Sequence, residues 1–361
     1  MRTEAAISRG AHGDFTIEDV DIDDPRPDEL LVRLVATGVC HTDLLSRMAP
    51  PDGAPAVLGH EGAGVVESVG AEVDGFRAGD KVLLSYAHCG RCRRCAAGRP
   101  AYCAEFGALN SGGTRPDGSS TLSQAGAPVW SSFFGQSSFA RHAIVSPRNA
   151  VVVSPDTDLV TAAPMGCGFQ TGAGTVVNVM RPDPGSSLVV FGTGGVGVAA
   201  VMAARALDVE TVVAVDLSEE RRAVATKVGA TATVDGAAPD VVERLRDLTG
   251  GGAGYVLDTT AVPSAIGNAF RALGPLGTLV LVGIGAPEIG LDTLDLIGSG
   301  KSVRGSIEGD SVSAELIPRL LAWQAAGRFP VDEVVTRFPF EHINHAVEVA
   351  SGAVVKPVLT F

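Results

Sequence analysis

Two textures of apolar and polar residues divide the chain. Up to about Ser154 the apolar residues come in short runs, at 30–36, 64–69, 81–84 and 139–145, broken by Gly, Pro and Asp. Runs of strand length bounded by turn residues predict a compact, mostly β region. From about Gly185 the runs become continuously apolar, at 187–191, 211–215, 231–234, 255–257 and 279–283. They alternate with helix-compatible segments such as 198–207 and 218–228. Strands of this kind are buried on both faces, so the middle region predicts a doubly wound parallel sheet. Beyond about Val303 a helix over 314–326 and a strand over 357–361 are expected, and the simplest topology returns this tail to the first domain. The polar stretch 110–123, rich in Gly and Ser, is long for a mere connection.

Composition adds limits. A length of 361 residues accommodates two domains, and 45% hydrophobic content supplies a core for each. A formal charge of −13 disfavours binding to a phosphate backbone, and the basic cluster at 91–94 sits inside a cysteine-rich loop. No apolar run approaches the roughly 18 residues of a membrane span, and residues 1–10 lack a secretory pattern. A soluble, cytoplasmic protein with neither nucleic-acid nor membrane partners is expected.

The six cysteines change the picture most. Cys89, Cys92, Cys95 and Cys103 form a CxxCxxCx7C run, with Cys40 and Cys167 far outside it. Disulfides are the competing reading, but nothing in the chain implies an oxidising compartment. Four thiolates close a zinc tetrahedron without an open position, so the run predicts a structural zinc site. Gly90, Arg91, Arg93 and Arg94 suit a loop that wraps a metal and offsets thiolate charge.

Gly192, Gly194 and Gly197 form GxGxxG, directly after the strand expected at 187–191 and before a helix. In that context the glycines, Gly195 among them, allow a tight turn and close approach to a pyrophosphate at the helix N-terminus. Asp216 ends the next expected strand, where a carboxylate accepts from both adenine-ribose hydroxyls and repels a 2′-phosphate. NAD+ is therefore expected over NADP+. Arg221 lies one helical turn on, within reach of the same ribose.

Cys40, His60 and Cys167 are distant in sequence, yet their surroundings, Cys40-His41-Thr42-Asp43 and Gly59-His60-Glu61-Gly62, are rich in polar chemistry. A Cys2His set would leave one tetrahedral position open for water or substrate. At this point the chain resembles the zinc-dependent medium-chain alcohol dehydrogenases. The likeness runs from CHTD and GHEGAG through the cysteine run, GCGFQTG and GTGGVG to KPVLTF. Within that family it is similar to the bacterial aryl or benzyl alcohol dehydrogenases through GTRPDGSSTL, FFGQSSFA and the EGDS at Glu308 to Ser311.

The resemblance implies an α/β architecture: a GroES-like, mostly β catalytic domain over 1–168 and 308–361 with two zinc sites, and a Rossmann NAD-binding domain over 169–307. It implies Cys40, His60 and Cys167 as catalytic-zinc ligands, Glu61 as a transient ligand, and Asp43 as the carboxylate orienting His60. Thr42 would take the alcohol proton, His41 and Lys356 would sit by the cofactor pyrophosphate, and Thr171 and Val196 would press on the nicotinamide. A zinc-bound alkoxide would then give hydride to NAD+. Many members complete the proton relay with a histidine where this chain has Leu45.

Family pocket positions fall on Ser85, Tyr102, Phe133, Phe134 and Ile284, an apolar slot suited to aryl, allylic or terpenoid primary alcohols and their aldehydes. Two rivals remain: a mycothiol- or glutathione-dependent formaldehyde dehydrogenase, with Arg115 or Arg141 as carboxylate anchor, and a non-catalytic zinc-stabilised nucleotide-binding protein. A homodimer is expected through the glycine-rich edge at 290–305 and the strand expected at 302–306, with a tetramer as the alternative.

Overall fold

Within the strand Leu30–Gly38, Leu30, Val32 and Leu34 face one core with Val66, Val82 and Leu84, while Leu31 faces a second with Ile7, Phe139 and Leu359. Side chains alternate across a strand, so a segment covered on both faces must be apolar at both parities. Arg33 is its one exposed residue. The computed structural model describes residues 1–51, 53–350, 352 and 354–361. These divide into a first unit, Met1–Cys167, Val312–Pro318 and Val335–Phe361, and a second, Gly168–Ser311 and Arg319–Val334. Residues 308–311 and 319–334 thus cluster with the second unit, whereas the sequence reading sent all of 308–361 back to the first.

The first unit holds two sheets. One runs in the order Ala56–Val57, Arg2–Ser8, Thr16–Ile22, Leu122–Gln124, Ala127–Val129. The other runs Ala150–Val152, Lys81–Leu84, Gly62–Val69, Leu30–Gly38, Lys356–Thr360, Val335–Pro339, with His142–Val145 also paired to Leu30–Gly38. Pairing is antiparallel except between Val335–Pro339 and Lys356–Thr360. The tail strand Lys356–Thr360 therefore lies beside Leu30–Gly38, with Val358 opposite Gly38.

The second unit carries a six-stranded, all-parallel sheet in the order Ala232–Asp235, Thr211–Asp216, Ser187–Phe191, Ala253–Asp258, Leu273–Leu281, Ser302–Gly305. This is the 3-2-1-4-5-6 order of a Rossmann sheet, whose ligand crevice lies at the carboxyl ends where the order reverses. Its core gathers Val189, Val213, Val256, Leu279 and Phe270.

The stretch 110–123 is less loop-like than its composition suggests. Asn110 closes the helix Phe106–Ser111, and Leu122 opens a strand. Between them Arg115 is buried and forms ion pairs with Glu29 at 2.6 Å and Asp23 at 2.7 Å.

Candidate active site

Cys40 caps the short helix His41–Leu45, and one buried carboxylate ties it to the His60 segment. Asp43 Oδ2 accepts from the Cys40 N–H at 2.9 Å, and Oδ1 accepts from the Gly59 N–H at 3.1 Å. The same Oδ1 lies 2.6 Å from His60 Nδ1, with both side chains fully buried. Gly59 has φ +88°, and a Cβ there would fall 2.4 Å from the Phe139 nitrogen, so only glycine fits this approach. With Nδ1 engaged by Asp43, Nε2 is left to face the site. It is buried and has no hydrogen-bond partner among the described residues. Such a nitrogen is costly unless something else ligates it.

Cys167 arrives from another direction. Ser85 Oγ donates to the Gly166 carbonyl at 2.6 Å, and a Cβ on Gly166 would lie 2.0 Å from the Leu84 carbonyl oxygen. The end of strand Lys81–Leu84 thus holds the turn that presents Cys167. One ligand atom each from Cys40, His60, Glu61 and Cys167 falls within 4.8 Å of the others. Contact with Cys167, against the effect of burial, holds the Cys40 thiol well below its usual range. Burial disfavours a charged His60, but the Asp43 carboxylate and Cys40 hold its proton well above the ordinary imidazole range. Two sulfurs with one imidazole are a donor set that suits zinc.

Lys356 was expected beside the cofactor pyrophosphate. Its Nζ lies 2.6 Å from Glu61 Oε2 and donates to the Val39 carbonyl at 3.0 Å, with only 3% of the residue exposed. Burial pushes the Glu61 carboxyl up, opposed by Lys356; burial alone would lower Lys356, but Glu61 raises it. Gly38 makes room for the pair, since a Cβ there would meet Glu61 Oε2 at 1.8 Å. Breaking a buried pair by removing one partner typically costs about 3–5 kcal/mol.

The four sulfurs of Cys89, Cys92, Cys95 and Cys103 also lie within 4.8 Å of one another. Backbone N–H groups of Cys89, Cys92, Ala104 and Glu105 point at sulfurs of the run at 3.3 to 3.5 Å. Such donors favour thiolates. The Ala104 N–H, foremost among several backbone donors, brings Cys92 down to about 6. Burial, then Cys92, pushes Cys95 up to about 12.

In the second unit Gly192 has φ +84°, and Gly194 caps the helix Gly195–Ala206. A Cβ on Gly197 would lie 1.9 Å from the Gly192 carbonyl oxygen, and one on Gly172 would lie 1.9 Å from that of Val196. These approaches hold the loop, this helix and the helix Gly168–Gly174, which carries Thr171, together. Asp216 Oδ2 accepts from Thr193 N–H at 2.7 Å and from its hydroxyl at 2.9 Å, placing the carboxylate at the loop. Arg221 Nη1 would lie 3.9 Å from a Cβ on Gly194. His41 is exposed, and Thr42 and Val196 are half-buried.

Of the pocket candidates, Phe133 is fully buried, Phe134 and Ser85 are buried, Tyr102 is half-buried, and Ile284, in the second unit, is 64% exposed. Ser132, Phe134 and Ser137 all have positive φ, at 60°, 50° and 52°, around Gly135 at 64°. Non-glycine residues held there cost about 1–3 kcal/mol each, and no glycine pattern in the sequence announces them. Arg115 is committed to Glu29 and Asp23, and Arg141 to Glu4 and Glu341, so neither is left as an anchor for a substrate carboxylate.

Comparison with known proteins agrees with this architecture. The alcohol dehydrogenase GroES-like domain family matches residues 26–156, and the zinc-binding dehydrogenase family matches residues 195–325. Geraniol dehydrogenase of Castellaniella defragrans is 44% identical over 100% of this chain and 98% of its own. Two crystal structures each cover 100% of this chain with 99% of their own. An alcohol dehydrogenase zinc-binding domain protein from Burkholderia ambifaria has a TM-score of 0.97 at 45% identity. Benzyl alcohol dehydrogenase from Acinetobacter calcoaceticus has 0.96 at 37%. The chain belongs to the zinc-dependent medium-chain alcohol dehydrogenase family.

Proposed function

We propose that this protein is an NAD+-dependent alcohol dehydrogenase that interconverts primary aryl, allylic or terpenoid alcohols and their aldehydes. The carrying observation is the convergence of Cys40, His60 and Cys167 around a buried His60 Nε2 with no hydrogen-bond partner. Cys40, His60 and Cys167 would hold a catalytic zinc, with Glu61 close enough to reach it, and the cysteine run a second, structural zinc. Bound there, zinc supplies Lewis acidity that lowers the pKa of an alcohol hydroxyl. Asp43 fixes the His60 tautomer so that Nε2 is the ligating atom. Thr42, two residues from Cys40, takes up the hydroxyl proton. Thr171 and Val196 would hold the nicotinamide, which when bound would supply the hydride acceptor that turns the alcohol into the aldehyde. Leu45 offers no imidazole to pass the proton on, so the relay is incomplete at that position or leaves Thr42 by another route.

The N-terminus of helix Gly195–Ala206 would hold the pyrophosphate, and Asp216, assisted by Arg221, would bind the adenine ribose, which would favour NAD+ over NADP+. His41, exposed beside Cys40, serves as a further phosphate contact. Phe133, Phe134, Tyr102 and Ser85 would line the substrate slot within the first unit. The geraniol and benzyl alcohol dehydrogenase relatives support an apolar, unsaturated alcohol. No helix among the described residues is long and apolar enough to cross a membrane, and a cytoplasmic location accords with this. We infer a homodimer, or a tetramer built from such dimers. Ser302–Gly305 ends its sheet, and Leu276, Leu294 and Ile297 in the same unit are 81%, 82% and 77% exposed.

A panel of alcohols assayed with NAD+ and NADP+, alongside zinc content, tests the reading. Benzylic, cinnamyl and geraniol-like alcohols should exceed ethanol in kcat/KM, NAD+ should be preferred, and two zinc ions should be found per chain. One zinc or none, with no alcohol turnover, would sink it.

A further inference from the structure

The turn at 132–137 delivers two different groups to a single candidate ligand. The ring of Phe134 stacks on the His60 imidazole, with centroids 4.5 Å apart and planes inclined by 27°. The Gln136 amide works on the main chain. Its Nε2 donates to the His60 carbonyl at 3.0 Å and to the Ser85 carbonyl at 3.2 Å, and its Oε1 accepts from the Gly62 N–H at 3.0 Å. Gln136 thereby grips the backbone on both sides of Glu61. It also joins Ser85, whose hydroxyl holds Gly166 beside Cys167.

We infer that residues 132–137 are a positioning clamp for His60, in which Gln136 fixes its backbone and Phe134 sets the plane of its ring. The inference rests on the reading of Cys40, His60 and Cys167 as zinc ligands. Asp43 holds the imidazole at one atom, which leaves the ring free to tilt about that bond; a stacked face removes the tilt. Simple core filling would not require Ser132, Phe134 and Ser137 to occupy left-handed backbone. Those conformations persist only where neighbours over-determine them. Here Ser137 Oγ donates to the Val57 carbonyl at 2.6 Å, and Asn149 Nδ2 donates to the carbonyls of Phe134 and Gly135 at 3.3 and 3.4 Å. The turn is braced from behind and acts on His60 in front.

Zinc release to a graded chelator tests this, with the cysteine run as internal reference, in the wild type and in Phe134→Leu, Gln136→Met and Phe134→Tyr. Phe134→Leu leaves all three Gln136 hydrogen bonds in place and so separates the clamp from general unfolding. Phe134→Leu and Gln136→Met should release the zinc of the Cys40 site about 10–100-fold more readily, with release from the run unchanged. Phe134→Tyr, which keeps the stacked ring, should restore retention. Cobalt placed in the Cys40 site should show shifted ligand-field bands in the two weakened variants. Wild-type retention and unshifted bands in both would overturn the clamp while leaving the zinc reading intact. A wild type that releases a single class of zinc would overturn the ligand assignment and the clamp with it.

Discussion

Cys89, Cys92, Cys95 and Cys103 are neighbours along the chain, whereas Cys40, His60 and Cys167 come from separate elements of the first unit, Cys167 at the far end of its Met1–Cys167 segment. In the run, small loops bring the sulfurs together, and the donors that favour thiolate are the loop's own backbone N–H groups. In the other cluster, strands and turns remote in sequence do the converging, and side chains supply the support: Asp43 for His60, Lys356 for Glu61, Ser85 for Gly166. The first arrangement is complete with four sulfurs. The second is heterogeneous, with two sulfurs, one imidazole and a carboxylate held back by a lysine. A closed and uniform site suits a structural metal, and an unequal, supported one suits chemistry.

Single substitutions at the two clusters should part company most sharply. Cys40→Ser should lower alcohol oxidation by about 10³-fold or more, from loss of several kcal/mol of Lewis-acid stabilisation. It should leave one zinc per chain by elemental analysis. Cys92→Ser should likewise leave one zinc but depress the thermal midpoint, with turnover per remaining zinc close to wild type. Equal loss of turnover in both would erase the distinction between the clusters.

Next in size is Asp43→Asn, which keeps the shape and removes the carboxylate charge behind His60. Zinc affinity of the Cys40 site should fall about 10–100-fold in chelator competition, with the run unaffected. The pH dependence of zinc uptake by the run, isolated in Cys40→Ser, comes third. Cys95 lies near 12 and burial raises Cys103, so both hold protons at neutral pH and must lose them to bind; Cys92, near 6, has already lost its own. Affinity should therefore rise with pH between 7 and 9, by up to about tenfold per pH unit for each proton released. A flat profile would contradict the direction of those shifts. Smallest is Leu45→His, which should change kcat by only a few-fold while adding an imidazole step to its pH profile; the wild type should show no such step.

The run and the glycine loop were legible because their chemistry is local: spacing alone brings the four cysteines together, and Gly192, Gly194 and Gly197 sit between a strand and a helix that announce themselves. The doubly wound sheet was legible from its continuously apolar strands. Cys40, His60 and Cys167 needed the family resemblance, since nothing in their spacing says that they meet. Residue-level support was harder to read. The resemblance spoke only of a cofactor-facing position for Lys356 and gave no sign of its contacts with the buried Glu61 and the Val39 carbonyl. Gln136 and Phe134 reach His60 across more than seventy positions, Phe134 from a left-handed backbone conformation that its residue type does not announce. Arg115 read as a free cation in a polar loop because Asp23 and Glu29, its partners, come from a distant strand end and turn.

The placement of Lys356 on the strand Lys356–Thr360 also bears on the order of assembly. Ribosomal synthesis runs from the amino end, so Cys40, His60, Glu61 and Cys167 all emerge long before the lysine that neutralises Glu61. Until that strand docks beside Leu30–Gly38, Glu61 lacks the ammonium group that lies 2.6 Å from it in the folded chain. Completion of the Cys40, His60, Glu61 and Cys167 cluster is thereby tied to a late step in biosynthesis, and a fusion or trimming that disturbs the carboxyl-terminal strand would be felt there.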